Sequence, residues 1–137
     1  IMKKGLISLL VLLFLSAPSF AEEGKEAPAG GGIAYYAFEP DIITNYIKPG
    51  KRIGYVRVAV EFQLANASDL AAVEHHDPLL RDAMIEIFGR QDEQKIKSMT
   101  GRDEIRDACL QEVNKLLVQE AGIKGVTNII FTKYLYQ

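Results

Sequence analysis

The segment from Tyr55 to Ala65 constrains the fold more than any other. Val56, Val58, Val60, Phe62 and Leu64 alternate with Tyr55, Arg57, Ala59, Glu61 and Gln63, and an apolar period of two marks a strand with one covered face. One side of this strand is therefore expected to meet a core, and the other to meet water or a partner. The cover is supplied downstream. From Pro78 onward, Leu79, Leu80, Ala83, Met84, Ile87 and Phe88 fall on one face of a helix. Asp82, Glu86 and Arg90 mark its far side, with Glu86 and Arg90 spaced for an i,i+4 pair. A second helix opens at Thr100-Gly101-Arg102-Asp103, a capping-box variant with a short acid in place of Glu. Its stripe is Ile105, Ala108, Cys109, Val113, Leu116 and Leu117, and Gly122 is its expected C-cap. Each large apolar side chain fully buried contributes roughly 1.5–3 kcal/mol, so the two stripes are expected to supply much of the core.

The remaining segments fit around these three. Ile33 to Phe38 reads as extended, and Pro40 marks an edge or a bend because it cannot donate to a ladder. Ile42, Ile43 and Tyr46 continue the segment to a turn at Lys48-Pro49-Gly50-Lys51. Asn66-Ala67-Ser68-Asp69 ends the long strand and offers caps for a helix starting near Asp69 or Leu70. Pro78 must begin a new helix or kink that one, since it lacks an amide donor. Gly89 is the expected stop, followed by a short helical turn from Asp92 to Ile96. The closing strand, Val126 to Gln137, would by strict alternation carry Ile129, Phe131 and Leu135 on one face, and Val126, Ile130, Tyr134 and Tyr136 on the other. A strand apolar on both faces is expected to be central in its sheet or covered by a neighbouring subunit. Residues at a chain end are ordered only when tied down, so Ile129, Phe131, Tyr134 and Leu135 are expected inside the sheet. Together the elements predict an α/β (α+β) domain, a small antiparallel or mixed sheet packed by two to three helices.

At the other end, Lys3 and Lys4 precede an apolar run from Leu6 to Leu15, and Ser19-Phe20-Ala21 supplies small residues at a signal-peptidase site. Residues 1–21 are expected to be a secretory signal cleaved after Ala21. The alternative is an uncleaved inner-membrane anchor, though Gly5 to Ala21 only touches the lower limit of roughly 17 to 25 residues for a spanning helix. Residues 22–32 (EEGKEAPAGGG) hold no apolar side chain larger than Ala and read as a flexible linker. Residues 33–137 are then one domain, with a real core but too short for two. The formal charge of −2 falls to about −4 once Lys3 and Lys4 are removed, the wrong sign for a nucleic-acid binder. Cys109, the single cysteine, cannot form an intramolecular disulfide and lies on an apolar stripe, where it acts as a small hydrophobe.

Candidate chemistry is sparse. Glu74-His75-His76-Asp77 holds two imidazoles and two carboxylates, but adjacent residues on a helix point about 100° apart, so one metal would not easily take both His75 and His76. A solvated charged segment is the simpler reading. Gly30-Gly31-Gly32 belongs to the linker, and the chain carries no phosphate loop, nucleophile elbow, paired-Cys motif or metalloprotease helix. No enzyme, metal or cofactor is expected. Tyr55, Tyr134 and Tyr136 are candidate interface residues, since aromatic side chains on open sheet faces favour protein contacts, although ordinary strand composition gives the same pattern.

One resemblance gathers these observations. Glu39-Pro40 to Asn45, the long strand from Tyr55, Pro78-x-x-Arg81-Asp82-Ala83, Gly101-Arg102-Asp103-Glu104-Ile105-Arg106, and the terminal Val126-x-x-Ile129-x-Phe131-Thr132-x-Tyr134-Leu135-x-Gln137 occur in this order. The ordered set, covering Phe38 to the end, resembles the FliL family of flagellar basal-body-associated proteins. The resemblance implies a periplasmic domain similar to the stomatin or SPFH fold, without enzymatic chemistry. It also implies a ring-like homo-oligomer around the flagellar stator proteins, and a role in motility. Arg81 and Asp82 fall in the family pattern and are expected to serve a structural or interface role, an intersubunit ion pair for instance, with plain surface charge as the alternative. Members typically keep an uncleaved transmembrane helix, whereas this N-terminus is signal-like, which leaves a soluble periplasmic paralogue, peripherally associated with the membrane, as one outcome. A scaffold of another envelope complex with the same fold, and a periplasmic metal or small-ligand binder using His75 and His76, are the alternatives.

Overall fold

β3, Arg52–Leu64, is the hub of the computed structural model, which describes residues 32–137. The signal-peptide expectation, and all of the linker but Gly32, lie outside the described residues. Along one edge of β3 run β2, Ile42–Lys48, and β1, Ala34–Ala37; along the other runs β4, Val126–Tyr136. All three pairings are antiparallel. The β2–β3 connection is a tight turn at Pro49–Lys51 in which Gly50 takes a φ of 77°, a conformation that glycine adopts without steric penalty. Between β1 and β2 the chain bends at the cis peptide Glu39-Pro40.

The alternation in β3 sorts its side chains as expected: Val56, Val58, Val60, Phe62 and Leu64 are all buried. β3 begins three residues earlier than the alternation indicates. Gly54 continues the inward face with no side chain of its own, and the ring of Tyr46, its cross-strand partner, fills the space.

Four helices cover this inward face: α1, Leu70–His75; α2, Asp77–Gly89; α3, Glu93–Lys97; and α4, Met99–Ala121. Pro78 sits in the first turn of α2, where a missing amide donor costs nothing. The α2 stripe narrows to Leu80, Met84, Ile87 and Phe88; Leu79 and Ala83 lie at its margin, and Leu79 is exposed. In α4, Ile105, Cys109, Val113 and Leu117 are buried at intervals of four, while Leu116 is partly covered and Ala108 exposed.

α1 starts at Leu70 as expected, but the caps differ from those read in the sequence. The N-cap of α4 is Ser98 instead of Thr100: its Oγ accepts from the Gly101 amide at 2.9 Å. Gly101 is buried against the Lys95 backbone, so the chain turns tightly from α3 into α4 before the expected capping box begins. Asp92 caps α3 by accepting from the Lys95 amide at 2.9 Å. Neither Asn66 nor Asp69 makes a side-chain cap, because a 3-10 turn, Ala67–Asp69, leads directly into α1. Gly122 ends α4 with a φ of 71°.

β4 departs most from expectation. It is an edge strand, and β3 is the centre. Two register shifts, opposite Ala59/Val60 and Gln63/Leu64, leave Thr132 and Thr127 between paired positions. Each extra residue reverses the parity of the strand beyond it. As a result Val126, Ile129, Phe131, Tyr134 and Tyr136 stand opposite the inward residues Leu64, Phe62, Val60, Val58 and Val56. Leu135, grouped by simple alternation with Ile129 and Phe131, stands opposite Arg57 and is exposed.

Candidate functional site

The helices leave the outer face of the sheet uncovered, and the strand pairings fix what it displays. Ile47 is opposite Ile53; Asn45 is opposite Tyr55; Ile43 and Leu135 flank Arg57 on either side. Ile43, Ile47, Ile53, Tyr55 and Leu135 are each between 50% and 63% exposed. They form one stripe across three strands. A shallow depression of about 620 Å³ lies between Ile43, Tyr55, Arg57 and Leu135. The backbone beneath it is firm: Tyr55 and Gln137 exchange both amide hydrogen bonds, at 3.0 and 3.1 Å.

One carboxylate on this face is shared by two cations. The Asp41 carboxylate lies 2.9 Å from Arg57 Nε and 3.6 Å from Lys133 Nζ. The hydrogen bond from Arg57 is the main reason its carboxyl is held below the ordinary value, with the Lys133 charge adding to it. With Arg57 and Lys133 about half exposed the pairs contribute little stability.

The expected tyrosine set is split by the fold. Tyr55 lies on the outer face, but the β4 shifts carry Tyr134 and Tyr136 to the helix side. Tyr134 donates its hydroxyl to the Ile96 carbonyl at 2.8 Å, and the Arg102 guanidinium stacks 4.1 Å from its ring centroid. Burial pushes the Tyr134 phenol up to about 12. Tyr136 is more exposed, with the Lys97 ammonium 5.6 Å from its ring centroid.

Arg81 is engaged within the chain. It donates Nη1 to the Pro40 carbonyl at 2.8 Å, lies 3.4 Å from the Asp77 carboxylate and sits over the Phe38 ring at 5.5 Å. Asp77 also accepts the Tyr36 hydroxyl at 2.6 Å. Burial, then this hydrogen bond, pushes the Tyr36 phenol up to about 12. These contacts among Tyr36, Phe38, Pro40, Asp77 and Arg81 clasp the β1–β2 bend to the start of α2. Asp82 is exposed and makes no ion pair among the described residues.

The His75 and His76 rings stack edge to face at 4.9 Å, and His76 Nδ1 is 2.9 Å from the Ala72 carbonyl. Among the described residues no group of three or more His, Cys, Asp or Glu side chains is placed to hold a metal. Cys109 is fully buried in the core, and burial pushes its thiol up to about 12, so it is held as an unreactive thiol. Among the described residues no helix is long and apolar enough to cross a membrane.

Sequence reasoning singled out Tyr55 but not the aliphatic residues beside it. The signal was present in β2: Ile42 and Tyr46 share one parity with the core, so Ile43 and Ile47 must point the other way. It also missed Asn114, which lies on α4 and grips β4 at both polar groups of one residue, donating to the Val126 carbonyl at 2.8 Å and accepting from its amide at 3.2 Å.

Comparison with known proteins agrees with the resemblance read from the motifs. The family model described as "Flagellar basal body-associated protein FliL" matches residues 35–137. A protein of Aquifex aeolicus (strain VF5), described as "Flagellar protein FliL", is 32% identical over 113 residues, which take in 82% of this chain and 66% of that relative. The chain thus spans just under two thirds of the relative it matches.

Proposed function

Because the chain belongs to the FliL family of flagellar basal body-associated proteins, we propose that it is a non-enzymatic periplasmic accessory of the flagellar motor. In this reading it docks on stator units, assembles with copies of itself in a ring-like arrangement, and supports motility. The observation that carries the reading is the outer sheet face. Five apolar side chains half or more exposed on one firm sheet are what a protein contact uses, and monomeric proteins rarely leave such a stripe open. The signal-like N-terminal sequence and the acidic net charge favour an exported, protein-binding role over a nucleic-acid one. If the signal is removed after Ala21, recruitment must come from protein contacts, with any membrane association peripheral.

The test is to fuse the protein to a fluorophore that folds in the periplasm and image cells with and without the stator proteins. Foci at flagellar bases that disperse without the stator are expected. Diffuse signal in both strains would remove the motor reading and leave a scaffold of another envelope complex.

A further inference from the structure

We propose that the free edge of β4, from Phe131 to Tyr136, receives an extended acidic segment of another protein as an added strand, with Arg102 meeting one of its carboxylates. The site is separate from the outer sheet face, and it does not rest on the motor reading above.

The strand pairing determines what this edge offers. Tyr55 and Gln137 exchange both amide hydrogen bonds and the Ala65 amide donates to the Gly125 carbonyl, whereas Val60 turns its carbonyl to the Phe38 amide on the opposite side. Odd-numbered positions along β3 thus hold β4, and even-numbered ones point away from it. In an antiparallel ladder the residues opposite those even positions, Val126, Ile129, Phe131, Tyr134 and Tyr136, turn their own amides and carbonyls to the free edge. Side chains seal the first half of that edge: Asn114 takes both polar groups of Val126, and Asn128 Oδ1 accepts from the Ile129 amide at 3.0 Å. The second half is open. Among the described residues no side chain or loop bonds the main chain of Phe131, Tyr134 or Tyr136 on that side. An edge left in this state is a template for a further strand.

Charge selects the chemistry of that strand. Arg102 lies over the Tyr134 ring beside the open half, with its Nε buried and without an acceptor. The neighbouring cations are occupied, Lys97 by Glu93, Lys95 by Glu104 and Arg106 by Asp103, but Arg102 makes no ion pair among the described residues. A guanidinium held against an aromatic face and short of acceptors is completed by a carboxylate, which it can bind through two donors. On the other face of the same strand, Lys133 shares Asp41 with Arg57. A residue paired with Tyr134 would put its side chain on the helix side with Arg102, and the residues before and after it would lie on the outer side by Lys133 and Leu135. A glutamate opposite Tyr134 complements this edge. A lysine there would set like charge against Arg102.

A fluorescent hexapeptide alternating Glu and Val, titrated with the full chain and followed by anisotropy, tests this. It is expected to bind at least about tenfold more tightly than the matching Lys and Val peptide. N-methylation at its glutamates should abolish binding, because those amides donate to the Tyr134 and Tyr136 carbonyls, while N-methylation at its valines should cost far less. Arg102→Gln should weaken binding about tenfold, with Arg102→Lys intermediate, and Arg90→Gln on the exposed side of α2 should leave it unchanged. Amide exchange gives a readout that needs no variant: the Tyr134 and Tyr136 amides should slow when the peptide is added, and those of Lys133 and Leu135, which face β3, should not change. Equal binding of the Glu and Lys peptides, indifference to N-methylation at the glutamates, or undiminished binding by Arg102→Gln would overturn the proposal. So would slow exchange at Tyr134 and Tyr136 in the peptide-free protein that grows with protein concentration, since a second copy would then hold the edge. The motor reading fails separately: foci at flagellar bases without peptide binding would keep the motor role and remove this site, and peptide binding without foci would do the reverse.

Discussion

Gly54→Ala should destabilise this domain although nothing about the backbone forbids it. Gly54 is buried in β3 opposite Tyr46, and a methyl group built on it would lie 2.6 and 2.7 Å from the two Cε atoms of the Tyr46 ring. Ordinary van der Waals contact needs about 3.5–4.0 Å, so the ring would have to move by about 1 Å. It has little room to do so: Tyr46 is 1% exposed, and its hydroxyl donates to the Gln137 carbonyl at 3.1 Å. Overpacking of this kind costs about 1–3 kcal/mol, and relief of glycine's backbone entropy returns about 0.5–1 kcal/mol. With the ring pinned at both ends, a net loss of about 1–2 kcal/mol is expected. In a domain of this size that lowers the thermal midpoint by roughly 4–16 °C. Urea unfolding followed by circular dichroism should show an earlier midpoint with an unchanged slope. Tyr46→Leu makes space for the methyl, so the double variant should be more stable than the sum of the singles predicts, by at least about 1 kcal/mol. A neutral Gly54→Ala, or a strictly additive cycle, would refute the reasoning that the glycine exists to seat the ring.

Arg81→Glu should lower the urea midpoint by an amount equivalent to about 1–2 kcal/mol, since it loses the Pro40 carbonyl and faces Asp77 with a like charge, while partial exposure keeps the loss below that of a fully buried pair. Arg81→Lys should recover only part of it, because an ammonium cannot span both acceptors; an unchanged midpoint in Arg81→Glu would move the residue's role from the clasp to a partner. Alkaline conditions should also destabilise the fold: burial raises the Tyr134 phenol and the Cys109 thiol to about 12, and burial with the Asp77 hydrogen bond does the same for Tyr36, from ordinary values of 10.0 for the phenols and 9.0 for the thiol. Each group keeps its proton longer when folded, so the unfolded chain binds fewer protons, and stability is complete below about pH 9 and lost as pH rises towards 12. Chemical denaturation at a series of pH values reads this directly, and a midpoint unchanged up to about pH 11 would contradict it.

What the sequence revealed and what it hid divide along a physical line. Local periodicity was legible wherever a residue's neighbours in sequence determine its face: the alternation in β3, the Ile105, Cys109, Val113 and Leu117 part of the α4 stripe and the C-cap at Gly122 all appear in the fold as read, while Ala108 and Leu116 fall outside the buried face. The β4 pattern misled because its faces are set by pairing with β3. Two threonines inserted at shifts of register reverse the parity, and no property of Thr127 or Thr132 alone announces that. Arg81 and Tyr134 were legible as notable residues but not as to their partners, since the Pro40 and Ile96 carbonyls they engage lie 41 and 38 residues away. The same limit applied to Asn114, whose grip on Val126 depends on where α4 crosses the start of the last strand.

These partnerships also explain why the outer face is free to serve as a contact surface. The Asn114 grip on β4, the Arg81 clasp on the β1–β2 bend and the seat of Tyr46 over Gly54 all bind the sheet from its helix side. The buried apolar cluster lies on that side as well, with inward strand residues meeting α2 and α4. By contrast Ile43, Ile47, Ile53 and Leu135 stand mostly in water and contribute little to folding. Aliphatic side chains at these positions, in alternation with a core that does not need them, are unfavourable for solubility and for edge protection. On the proposed reading, folding and recognition are separated, with the core on one face of the sheet and the contact stripe on the other. Substitutions on the stripe are therefore expected to change the proposed assembly without changing the fold, whereas substitutions on the clasp residues are expected to loosen the strands on which the stripe is displayed.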